Sequence, residues 1–158
     1  MLSVTFNAAQ DRLLLEIKDK EKSNYVWLTR RATVILAGVV EKLLVKMYAK
    51  SGVTDLDDTV ARFSQEALDA AYPPKQVPTA STKTGTLAYR VGSTIIDATS
   101  ARLAIHDPDG AGIRFVISRE LLHLLLNLLK IQAAKAKWGI EIGFTPVGVG
   151  ATATNLRQ

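Results

Sequence analysis

Arg12-Leu13-Leu14-Leu15-Glu16-Ile17-Lys18-Asp19 has a counterpart later in the chain, Arg102-Leu103-Ala104-Ile105-His106-Asp107-Pro108-Asp109. Tyr25-Val26-Trp27-Leu28-Thr29-Arg30 then matches Arg114-Phe115-Val116-Ile117-Ser118-Arg119, and the spacing from first arginine to last differs by one residue. The correspondence runs forward, with Ile35, Leu36, Val39 and Val40 over Leu124, Leu125, Leu128 and Leu129 and Lys46 over Lys135. It also runs backward, with Phe6-Asn7 over Ile96-Asp97. A nearly fixed offset across strands, turn and helix points to an internal duplication. The alternative is a chance likeness between two ordinary hairpin–helix units.

Local patterns agree. Leu2, Val4 and Phe6 alternate, as do Leu13, Leu15 and Ile17, then Val26 and Leu28, then Leu103 and Ile105, then Phe115 and Ile117. Period-two alternation is the mark of strands with one buried face. Asp107-Pro108-Asp109-Gly110-Ala111-Gly112 reads as a turn. Thr29 and Ser118 suit the N-caps of two long helices. Ile35, Leu36, Val39, Val40, Leu43, Leu44 and Met47 form the buried stripe of the first of these. A second helix is expected from Thr54, with Leu56, Val60, Phe63, Ala67 and Ala71 on one side, stopped by Pro73-Pro74. Strands near Thr86 to Val91 and Ile140 to Phe144 complete the second half.

The expected fold class is therefore α+β. Two diverged antiparallel β-sheet-plus-helix repeats, in the order βββαα–ββββαβ, pack their helices on one sheet face. Residues 1–72 form the first repeat, 73–85 a linker, 86–145 the second repeat and 146–158 a tail, all within one compact domain. A chain of 158 residues that is 47% apolar supports a core of this size.

Composition removes several chemistries. With no cysteine there is no disulfide, thiolate metal site or cysteine nucleophile. The start of the chain has no signal-peptide character, and the apolar runs Val34–Val40 and Leu124–Leu129 are too short to span a bilayer. A cytoplasmic location is expected. The two histidines, His106 and His123, sit in no metal-binding spacing, and no phosphate loop or nucleophile elbow occurs. No catalytic residue, metal or cofactor is expected, and the chain reads as a non-enzyme.

Charge is uneven. From Asp55 to Tyr72 five acids stand against Arg62, a net of −4, which leaves +9 on the rest of a chain of net charge +5. A basic body suits an anionic partner, though a charged surface helix accounts for the same numbers.

Strand parity makes this more specific. If Leu13, Leu15, Ile17, Val26 and Leu28 face the helices, then Arg12, Leu14, Glu16, Lys18, Tyr25, Trp27 and Thr29 face outward. Arg102, Ala104, His106, Arg114, Val116 and Ser118 do the same in the second half. One open face would then carry Tyr25 and Trp27 among Arg12, Lys18, Arg102 and Arg114. Arg30, Arg31 and Arg119 lie at helix starts, where a cation opposes the dipole and hints at an anion contact or a local ion pair. Aromatic platforms among cations are what sequence-tolerant single-strand binding needs; the alternative is that Tyr25 and Trp27 pack against Arg12 and Leu14 across the sheet or form a protein contact. The layout resembles the duplicated strand-and-helix single-strand binders of the Whirly and Pur-repeat type, a likeness that carries no site assignments.

The second long helix suggests a different role. Leu121, Leu122, Leu124, Leu125, Leu126, Leu128, Leu129 and Ile131 leave only Glu120, His123, Asn127 and Lys130 as a polar stripe. Such a helix is either sandwiched between the two halves or shared with another chain. If shared, Leu122, Leu125, Leu126 and Leu129 form the protein interface. Two functions follow: an interaction or assembly module acting as a homo-oligomer or adaptor, and, as the alternative, a single-stranded DNA- or RNA-binding protein using the basic, aromatic sheet face.

Overall fold

The computed structural model describes residues 1–19, 22–50 and 85–142. β1 (Leu2–Asn7), β2 (Arg12–Asp19) and β3 (Lys22–Leu28) form an antiparallel meander that runs into α1 (Arg30–Lys50). β4 (Thr86–Leu87) returns to pair parallel with β3, closing a four-stranded sheet of order β1-β2-β3-β4. β5 (Arg90–Ile95), β6 (Ser100–His106) and β7 (Gly112–Ser118) form a second antiparallel meander, a separate three-stranded sheet, and lead into α2 (Arg119–Lys135). The described residues thus form an α+β mix of two sheets and two helices. No described helix is long and apolar enough to cross a membrane.

Both helices start where their caps place them. The Thr29 hydroxyl accepts the Ala32 N–H at 3.2 Å, and the Ser118 hydroxyl accepts the Leu121 N–H at 3.2 Å. Each bond satisfies an amide that the first helical turn leaves without a partner. The β6–β7 turn is the expected one. Asp107 accepts the Asp109 N–H on its side chain and the Gly110 N–H on its carbonyl, and Gly110 takes φ +93, which a side chain would resist.

The core lies between the sheets and the helices, and the helices are exchanged across it. α1 packs against α2 and β5, whereas α2 packs against α1 and β1. Each helix covers a strand of the other meander. Leu13, Leu15, Val26, Leu28, Leu36, Val40, Leu44, Leu103, Ile105, Leu122, Leu125 and Leu129 are inaccessible to solvent. Burying each such side chain contributes about 1.5–3 kcal/mol. On β1 the Phe6 N–H donates to the Gln132 Oε1 of α2 at 3.2 Å, so the helix also satisfies part of that sheet edge.

Several expectations need correction. The stretch from Thr86 to Val91 is not one strand: its start belongs to the first sheet and its end opens the second. There is no single sheet with one open face. The polar stripe of α2 is absent, since His123 and Asn127 are buried and only Glu120 and Lys130 of the four are exposed. Leu122, Leu125, Leu126 and Leu129 are core residues of this chain, because α1 and β1 already occupy the faces from which they project. The helix is therefore the sandwiched one, and these leucines offer no surface to a second chain. Residues 140–142 form no strand. The helix expected from Thr54, the Pro-rich stretch 73–84, residues 143–145 and the tail 146–158 lie outside the described residues.

Candidate functional site

The outer face of the second sheet is built by parity. Val91 and Ile95, Ala101, Leu103 and Ile105, and Ile113, Phe115 and Ile117 turn toward the core. The alternate residues therefore point away from it. Cross-strand register sets them in rows: Thr94–Arg102–Val116, Gly92–Ala104–Arg114 and Arg90–His106–Gly112. Arg90, Arg102 and Arg114 are all exposed, and no carboxylate stands in these rows. Arg102 and Arg114 are diagonal neighbours on adjacent strands, with backbones roughly 7–8 Å apart. Gly92, Ala104 and Gly112 keep the surface between them low, and Val116 is 60% exposed.

This face runs into a cleft of about 610 Å³ between β7 and the end of the first sheet. Arg102 and Arg114 line it from the second sheet, and Lys18 and Asn24 line it from the first. Leu2, Ile17, Val116 and Leu121 supply apolar wall. Among the described residues, three cationic side chains and no acid border an opening with apolar sides. Such a site has the chemistry to hold an anionic group attached to something apolar.

The other basic and aromatic candidates lie apart from this site. Trp27 and Leu14 are directly paired across β2 and β3 and both are buried, Trp27 at 8% exposure. Trp27 therefore offers no stacking platform, although its parity is opposite to that of Val26 and Leu28. Tyr25 and Arg12 are half-buried, and Arg31 is exposed at the start of α1.

Arg30 and Arg119, at the two helix starts, are occupied inside the fold. Arg30 donates to Asp11 Oδ2 at 3.1 Å and sits 5.7 Å from the Trp138 ring centroid. Arg119 sits 4.5 Å from the Tyr48 ring centroid and donates to the Ala98 carbonyl at 3.3 Å. The arrangement is reciprocal. The cation at the start of α1 stacks on a ring beyond the end of α2, and the cation at the start of α2 stacks on a ring near the end of α1. The unfavourable dipole placement is offset by these contacts.

Three ionisable groups are shifted. The Trp138 indole N–H, 2.7 Å from Asp11 Oδ1, and secondly Arg30 hold the Asp11 carboxyl below its usual range. His123 is pushed down to about 4, first by burial and then by the charge of Arg119, so it is neutral at pH 7. Its Nε2 shares a 2.9 Å hydrogen bond with the Tyr48 hydroxyl. Asp97 is also lowered, chiefly by the Thr99 backbone N–H, and it fixes the β5–β6 turn. No group of three or more His, Asp or Glu suited to a metal ion occurs among the described residues.

Of the candidate basic residues, the structure brings Lys18, Arg102 and Arg114 together and separates Arg12, Arg30, Arg31 and Arg119 from them. Sequence reasoning missed Arg90. A strand placed at 90–95 would have put it in phase with Thr94 and opposite His106. Comparison of the chain with models of known protein families, with curated proteins and with solved structures finds no match.

Proposed function

We propose that the chain is a non-enzymatic interaction module that engages an acidic protein partner through the outer face of the second sheet and the adjoining cleft. The observation that carries this reading is the exposure of Arg90, Arg102 and Arg114 on one sheet face without a carboxylate among them. Exposed Val116 and Leu121 beside these cations favour a protein, since they add apolar contact at the centre of a charged patch. We further propose that the two meander–helix units descend from one duplicated ancestor with a layout of the Whirly and Pur type.

Single-stranded nucleic acid is the second reading, favoured by the same arginines. It lacks its other half among the described residues, because the rows of this face carry no Trp, Tyr or Phe on which a base could stack, and Phe115, which lines the cleft, is half-buried against the core. Self-assembly through the α2 leucines loses its basis in their burial.

The test is fluorescence anisotropy with a labelled polyglutamate peptide and a labelled oligothymidylate of equal charge. The proposal expects the peptide to bind at least as well as the oligonucleotide. It also expects the combined Arg90→Gln, Arg102→Gln, Arg114→Gln variant to lose both interactions. Binding of the oligonucleotide alone transfers the face to the nucleic-acid reading. Peptide binding unchanged in the variant overturns the assignment of the face.

A further inference from the structure

We propose that the edge of β7 that no described strand pairs is the docking site of an extended partner segment in which acidic and apolar residues alternate, added as a fourth strand to the second sheet. The inference rests on the reading of the chain as a protein-binding module and specifies the form of the partner.

The hydrogen-bond phase of β7 is fixed at both ends. Asp107 N–H donates to Ala111 O at 2.7 Å, and Arg119 N–H donates to Thr99 O at 2.9 Å. In an antiparallel pair, bonded and non-bonded positions alternate. Residues 113, 115 and 117 therefore bond to β6, and the N–H and C=O groups of Arg114 and Val116 point away from it. No described residue takes up those groups. β7 is seven residues long, and an edge of that length whose outward groups no described residue pairs is a template for another strand.

The chain uses the corresponding edge of its first sheet in this way. Trp27 and Val116 each stand three residues before a long helix. The Trp27 carbonyl accepts the Ala88 N–H at 2.9 Å, which anchors β4 along β3. At Val116 the same edge position lies in the cleft. The cleft is lined by four consecutive residues, Arg114 to Ile117, so it borders the edge itself and not one face of the strand.

The surroundings select the occupant. An added strand sends alternate side chains to opposite faces. On one face they meet Arg102 and Arg114, with Lys18 across the cleft, and on the other the apolar wall that includes Ile117 and Leu121. Acidic residues suit the first face and apolar residues the second. A second copy docking β7 to β7 would bring the exposed Arg114 of both chains onto one face of adjoining strands, with Arg102 one strand behind each, which like charges disfavour. Strand addition with pockets for alternate side chains is an established mode of peptide recognition.

The probe is a labelled octapeptide of alternating glutamate and valine, titrated by anisotropy against the full chain. Its partner controls are the same peptide N-methylated at every second residue and a lysine–valine octapeptide. Binding of the glutamate–valine peptide, at least tenfold weaker for the N-methylated form and absent for the lysine form, is expected. Val116→Pro removes one outward N–H without touching the β6 ladder and should weaken binding at least tenfold. The N-methylated peptide, tested on the unaltered protein, decides the matter if that variant does not fold. Equal affinity for the methylated and unmethylated peptides overturns edge pairing while leaving an electrostatic partner face intact. No binding of either acidic peptide overturns both readings. Dimerisation of the protein that is abolished by Val116→Pro overturns the assignment to a partner and gives the edge to a second copy.

Discussion

The Tyr48 hydroxyl on α1 and His123 Nε2 on α2 meet at 2.9 Å in the core, with the Arg119 guanidinium above the Tyr48 ring at 4.5 Å. This contact joins the two exchanged helices by a buried polar bond. Tyr48→Phe keeps the ring and the cation contact but removes the bond. The expected cost is about 1–3 kcal/mol, read as a lower midpoint in urea unfolding with an unchanged circular dichroism spectrum. An unchanged midpoint would show that the bond contributes nothing net.

His123 also sets a pH dependence. Its folded value of about 4 lies below its ordinary 6.5, so the unfolded chain binds the proton more readily. The associated stability is fully present above pH 6.5 and declines as pH falls from there toward 4, by about 3 kcal/mol at the most. Asp11 and Asp97, both lowered, add their own losses only at still lower pH, near and below their ordinary 3.8. Urea midpoints measured between pH 7 and 4 should fall along this curve, and His123→Gln should flatten the upper part of it. A midpoint that is level from pH 7 to 4.5 in the unaltered protein contradicts the assignment.

Trp138 and Asp11 offer a test of the reciprocal clamp. Trp138→Phe removes the indole N–H that holds the Asp11 carboxyl down. NMR titration of the Asp11 side chain should then show its pKa moving up toward the ordinary value, with Arg30 supplying what remains of the shift. No movement would mean that Arg30 alone sets it.

Leu126 separates core from interface. It is 1% exposed, packed among the other buried leucines of α2. Leu126→Ala should cost about 2–5 kcal/mol. Leu126→Glu should abolish folding, because a carboxylate there has no partner to compensate its burial. A folded Leu126→Glu protein of altered size in light scattering would restore the leucines to an intermolecular contact.

How far the fold was legible depends on the element. Unbroken alternation at Leu103 to Ile105 and Phe115 to Ile117 places Arg102, Arg114 and Val116 on the outer face, and there they are. The run from Thr86 to Val91 misleads because it carries the chain from one sheet into the next at Ala88-Tyr89, with no Gly or Pro to mark the change. Arg90 was hidden by that misplacement and by Gly92, which interrupts the pattern. Parity assigns Trp27 to the outer side of β3 correctly, but parity does not register whether a face is covered, and Leu14 and Trp27 are both buried there. The leucine-rich helix shows a similar limit. Composition says that it is surrounded, while what surrounds it is set by the exchange of α1 and α2 between the meanders. The two arginines at the helix starts find their partners in Trp138 and Tyr48, more than seventy residues away from each, beyond the reach of local pattern.

Amide chemical-shift mapping with the glutamate–valine octapeptide shows whether the second sheet carries the partner-binding face. The largest shifts are expected at Arg102, Arg114, Val116 and Lys18, with Arg90 and His106 following and with Trp27 and Tyr25 unmoved. Shifts centred on Trp27 and Tyr25, with the second sheet silent, would contradict it.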